Sequence, residues 1–123
     1  MTVNKSTFIT TSIAVHSQQE VDDFIDFINS SKEFADATHN MVVYRYYAPD
    51  NSLVEGEDDD GEHGAGTKIL FLMQKMKVVN RVAICSRFWG GVLLGPARFK
   101  IINENIQECF KLARDKGELE YEK

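Results

Sequence analysis

The spacing of apolar positions changes several times along the chain, and each change marks a new element. Ile9, Thr11, Ile13 and Val15 alternate with Thr10, Ser12, Ala14 and His16, a period of two that predicts a strand burying the first set. Ser17-Gln18-Gln19-Glu20 then reads as a capping box, and Val21, Phe24, Ile25 and Ile28 recur at three and four residues as the stripe of a helix. Residues 40–48, "NMVVYRYYA", are β-branched and aromatic and predict a strand that ends before Pro49. A turn at Asp50-Asn51 leads into a short partner strand within "NSLVEG". Ala65, Ile69, Leu72, Met73 and Met76 return to helical spacing, while "RVAICSRF", residues 81–88, is the nearly continuous apolar strand expected in mid-sheet. The last helix is expected to open with Gly95 as N-cap and Pro96 at the first helical position. It should bury Phe99, Ile102, Ile106, Cys109, Phe110 and Ala113, and stop at Gly117.

This order predicts an α/β (α+β) fold: a two-layer sandwich with a small mixed sheet of three or four strands and helices on one face. At 123 residues, 1–123 should form a single domain with one core. No apolar run approaches membrane-spanning length, and "MTVNKSTFITTS" lacks the layout of a secretory signal, so a cytoplasmic protein without membrane contact is expected. Cys85 and Cys109 lie in apolar segments without CxxC spacing, which suits buried free thiols better than a disulfide or metal pair.

Charge divides the chain. Residues 18–67 carry thirteen acids against Lys32 and Arg45, a net of −11, while residues 68–117 carry ten bases against three acids, a net of +7. Such a dipole suits an anionic or ribosomal partner, or two blocks that pair with one another in the fold.

The acidic block peaks at six acids in the eight residues 55–62, five of them inside "GEDDDGEHGAG", residues 56–66. A calcium loop with Gly61 at its sixth position would put Gly56 and Thr67 at the first and twelfth, where oxygen ligands are required. As a phosphate loop, "GEHGAGTK" has Thr67 and Lys68 transposed, and as a dinucleotide fingerprint it has Ile69 in place of the third glycine. His63 has no second His or Cys at ligand spacing, so no metal or other cofactor is expected. His39 and His16 read as structural, and Ser86 and Cys85 sit in mid-strand, where a nucleophile would be inaccessible. The acids either favour the N-terminus of the helix that follows, with Gly64 and Gly66 permitting a close approach, or face a counter-charge. The nearest internal counter-charges are Arg87, Arg98 and Lys100, which bracket "FWGGVLLGP".

That second motif turns sharply at Gly90-Gly91 behind Trp89, which is either core or, if exposed, an anchor for a partner. Together, "EDDDGEHGAGTKIL" and "VVNRVAICSRFWGGVLLGPARFKIINENIQE" resemble the Impact family of translation regulators. The resemblance extends through "THNMVVYRY" and the first strand "STFITTSIAV", closer to eukaryotic than to bacterial members. It implies a two-layer sandwich like the second domain of a small-subunit ribosomal protein. Functionally, it implies a non-enzymatic regulator that binds the ribosome-associated activator of the amino-acid-starvation kinase, restrains that kinase, and also binds monomeric actin. The 123 residues leave no room for the RWD domain of eukaryotic members or the ferredoxin-like domain of bacterial ones.

The leading expectation is therefore a protein-binding regulator of translation that docks through Asp58, Asp59, Asp60 and Glu62 with Arg87, Trp89, Gly90, Gly91, Arg98 and Lys100. An RNA- or ribosome-binding module using the basic half is the alternative, and a hydrolase with a divalent cation on the acidic loop is the third.

Overall fold

The computed structural model describes residues 1–123. Its elements are β1 (Thr2–Val3), β2 (Ser6–Ala14), α1 (Gln18–Ser30), β3 (His39–Tyr47), β4 (Leu53–Asp58), α2 (Ala65–Met76), β5 (Val78–Val79), β6 (Arg81–Phe88), α3 (Ala97–Asp115) and β7 (Glu120–Tyr121). Five strands form one sheet in the order β1-β2-β6-β3-β4, and β5 pairs with β7 in a small second sheet.

The α/β class and the succession of larger elements follow the sequence pattern, but the expected layering and pairing do not. Every pairing in the main sheet is antiparallel, so it is not mixed. The strand β6 inserts between β2 and β3 and runs opposite to both, which removes the parallel contact a direct β2–α1–β3 crossover would have made. Helices also cover both faces rather than one. On one face α2 and α3 pack Ile69, Met73, Ile102, Ile106 and Phe110 against Phe8, Met41, Val43, Ala83 and Cys85. On the other, Val21, Phe24 and Ile28 of α1 pack against Val42, Tyr46, Val82 and Ile84. Successive residues of a strand point to opposite faces, so the unbroken apolar run of β6 is what two covered faces require.

The strand β2 departs from its predicted burial for the same reason. Phe8 is fully buried on the α2/α3 side, whereas Ile9 and Ile13, on the other, are about 40% exposed because α1 lies over β3 and β6.

The predicted caps fold locally. Ser17 Oγ accepts from Glu20 N at 3.2 Å, and Glu20 Oε1 accepts from His16 N at 3.1 Å, one residue ahead of the usual reciprocal partner. The helix α3 begins at Ala97 with Pro96 as its cap, one residue later than expected, and ends where Gly117 turns left-handed and Glu118 N returns to Ala113 O at 2.9 Å. Both cysteines are free thiols; Cys85 is buried and Cys109 half-buried. No helix is long and apolar enough to cross a membrane.

The register has one consequence for chemistry. Arg87 stands opposite Phe8 on β2 and His39 on β3, so the end of the central strand carries a guanidinium flanked by a ring on either side.

Candidate functional site

The loop after β4 folds on its own carboxylates. Asp58 Oδ1 accepts from Asp60 N at 2.8 Å and Asp59 Oδ1 accepts from Gly61 N at 3.0 Å, two consecutive side-chain turns. Asp60 Oδ2 accepts from Asn40 N at 2.7 Å, which fastens the loop to the first residues of β3. These bonds let Asp60 and Gly61 adopt positive φ and turn the chain so that Glu62 points inward. Three of the glycines have steric reasons: a Cβ on Gly56 would overlap the Tyr44 phenol, one on Gly66 the Glu57 carboxylate, and one on Gly90 the carbonyl oxygen of Lys5. The close neighbour at Gly66 is thus a side chain, set where a carboxylate favours the first turn of α2.

Glu62 is 4% exposed and is the centre of the site. Its Oε2 accepts from Arg87 Nη1 at 2.6 Å, and its Oε1 lies 2.8 Å from Arg98 Nε. Arg87 is itself 6% exposed, with its guanidinium over the Phe8 ring at 5.6 Å. Arg98 lies over the Phe99 ring at 4.3 Å and donates through Nη1 to Gly95 O at 2.9 Å. His39 completes the cluster, its Nδ1 2.7 Å from Asp60 O and its Nε2 3.7 Å from Glu62 Oε2. A carbonyl oxygen can only accept, so Nδ1 carries the hydrogen, and in the neutral ring Nε2 is an acceptor.

Above this cluster the chain leaves β6 at an exposed corner. Trp89 N donates to Thr38 Oγ1 at 3.0 Å, and Thr38 N donates to Arg87 O at 2.8 Å, which holds the corner's backbone while leaving the indole 55% exposed. Leu93, at 87% exposure, lies on the same rim. Between rim and cluster is a cavity of about 360 Å³, bounded by His39, Glu62, His63, Arg87, Trp89, Leu93 and Arg98 among others.

The acidic loop and the tryptophan corner therefore meet in space. The structure brings Glu62, Arg87, Trp89 and Arg98 together; Gly90 and Gly91 shape the corner, and Asp58, Asp59 and Asp60 build the loop. Lys100 is not among the residues bounding the cavity and makes only a distant, exposed pair with Glu104 at 3.9 Å. Glu62 is an internal strut whose carboxylate binds two arginines, and it presents little surface to a partner. Of the two oppositely charged blocks, Glu62 alone joins them by ion pairs; Arg45 pairs instead with Glu55 and Glu122, and Arg81 with Glu118.

His39, Thr38 and Leu93 belong to the site and were not candidates from sequence. Their membership depends on the β3–β6 register and on the path after Trp89, neither of which has a local signal. No three His, Cys, Asp or Glu side chains converge in a way that could hold a metal ion. Burial pushes the Cys85 thiol up to about 12, which keeps it protonated and unreactive in the core.

The Impact N-terminal domain family model matches residues 4–110. The protein IMPACT homolog of Schizosaccharomyces pombe is 38% identical over 112 residues, covering 91% of this chain and 40% of the relative. Protein IMPACT of Danio rerio is 40% identical over 104 residues, covering 84% of this chain and 33% of the relative. The chain thus spans between a third and two fifths of the length of these relatives. Among solved structures, the two-domain translational regulator Yih1 superposes with a TM-score of 0.65 at 32% identity, over 92% of this chain and 44% of that one. A hypothetical protein superposes with a TM-score of 0.81 at 26% identity, over 99% of this chain and 57% of the other.

Proposed function

The chain belongs to the Impact N-terminal domain family, and from that premise we propose that it regulates translation by binding a protein partner, without making or breaking bonds. The observation that carries this reading is the exposed Trp89 at the rim of a cavity whose floor is an ion-paired cluster. A large aromatic held on a fixed backbone beside an arginine is the usual anchor of a protein interface, because its burial on binding costs little conformational entropy. Yih1, similar over most of this chain, is described as a translational regulator, which supports the same assignment. The finer reading is that the partner is the ribosome-associated activator of the amino-acid-starvation kinase, with monomeric actin as a second partner. Asp58, Asp59 and Asp60 act here by shaping the loop and lending the rim negative charge, while Trp89, Arg98 and Leu93 make the contact. The test is a pull-down from lysate containing ribosomes, run beside a full-length family member. Recovery of the activator or of another translation component supports the reading; recovery of none, when the full-length protein recovers them, overturns it.

The basic half favours a second reading. Lys100, Lys111, Arg114 and Lys116 are exposed along α3 without carboxylates from the acidic block, as an RNA or ribosome contact would need. A binder that neutralises about six phosphates should lose affinity by orders of magnitude between about 50 and 200 mM salt. Weak binding that is insensitive to salt would remove this alternative.

A further inference from the structure

We propose that the cavity beneath Trp89 is a receptor for one carboxylate carried by a protein partner, in a segment that is otherwise apolar or basic. This deepens the docking reading above and rests on it. The cluster contains one carboxylate, Glu62, against two guanidinium groups, Arg87 and Arg98, so it holds one positive charge more than it neutralises. No other carboxylate from the surrounding elements supplies the balance. Asp60 is turned to Asn40 N, Asp58 and Asp59 close their own turns, and β3 and the loop bring only His39 and His63 to the cavity. Glu62 answers the buried Arg87 directly, so the unbalanced charge falls on Arg98, whose side chain is 27% exposed and open to a counter-ion.

Arg87 bonds Glu62 through Nη1 alone, and its buried Nε bonds no protein atom. Nε is closed off by its burial, so Nη2, which also bonds no protein atom, is the donor that Arg87 can offer to a carboxylate oxygen in a charge-assisted hydrogen bond. Arg98 adds Nη2, since its Nε is held by Glu62 and its Nη1 by Gly95 O. A monoanion restores neutrality, whereas a polyanion would meet the carboxylates of the acidic loop at the rim. Trp89 and Leu93 offer apolar contact to the residues flanking the bound acid.

The probes are two peptides, acetyl-Leu-Glu-Leu-amide and its glutamine counterpart, titrated into the wild-type chain while the Trp89 indole N–H resonance is followed; inorganic phosphate is a third arm. The glutamate peptide should shift the resonance saturably, and the glutamine peptide should bind on the order of tenfold more weakly, the loss expected for one charge-assisted contact. Arg98→Met, checked for folding by circular dichroism, should abolish the difference between them. Equal binding of both peptides, binding of neither, or phosphate binding more tightly than the glutamate peptide overturns the proposal. If the peptides fail while Trp89→Ala still abolishes capture of a translation component, the carboxylate receptor is wrong and the docking reading survives. If capture is also indifferent to Trp89, both fall.

Discussion

Glu62 and Arg87 are 25 positions apart in sequence, each less than a tenth exposed, and joined by a 2.6 Å ion pair. Through this contact the acidic loop is fixed to the central strand, and with Arg98 added it also ties down the start of α3.

Removing the carboxylate should therefore be costly. Glu62→Gln leaves Arg87 buried without a counter-charge and should destabilise the fold by about 3–5 kcal/mol in urea or guanidinium unfolding. A change below about 1 kcal/mol would mean that water reaches the cluster freely.

The three aspartates should matter to folding as well as to the rim. Asp60→Ala removes the carboxylate that accepts from Asn40 N and should lower stability by about 1–2 kcal/mol. An unchanged or raised midpoint would assign these acids to a partner alone.

The glycines of the corner should separate into two mechanisms. Gly90→Ala drives a Cβ into the Lys5 carbonyl and should destabilise by about 1–3 kcal/mol through displaced backbone. Gly91→Ala meets open space and should cost about 1–2 kcal/mol through its φ of +89° alone. Thermal unfolding of both variants, with Gly91→Asn as the replacement best suited to positive φ, distinguishes them.

Thiol labelling offers a check on the core. At pH 8 Cys109 should react with a soluble disulfide reagent while Cys85 does not, until denaturant is added. Because burial raises the folded thiol above its unfolded value of 9.0 to about 12, the unfolded chain loses that proton first. This contribution to stability is intact below pH 9 and falls as the pH rises toward 12. Rapid labelling of both thiols in the native protein would contradict the packing of β6 against α3.

Much of the fold was legible in the sequence, and the reasons are local. Ser17 and Glu20 announce α1, Gly117 ends α3, and the period-two and continuous patterns locate β2, β3 and β6. What could not be read depends on distant contacts. The two-residue strands β1, β5 and β7 are too short for a period to form. Ile9 and Ile13 mimic a buried face because their exposure depends on where α1 lands. The apolar run of β6 marks a mid-sheet strand, yet the helices were expected on one face only, because the run does not say which helix packs where. At the site, sequence identified the loop, Arg87, Trp89 and Arg98 by composition alone. It did not reveal that Glu62 faces inward while its neighbours turn back on the backbone, or that the β3–β6 register would bring His39 alongside Arg87.

The central claim is that Trp89 and its rim are a docking face. The most direct measurement compares wild type and Trp89→Ala, whose stabilities should agree within about 0.5 kcal/mol because the indole is more than half exposed. Both are used to capture partners from ribosome-containing lysate, with translation components quantified by mass spectrometry. The wild-type chain should enrich at least one such component, and the equally folded Trp89→Ala should lose it; equal enrichment by the two proteins, or none by either, contradicts the account.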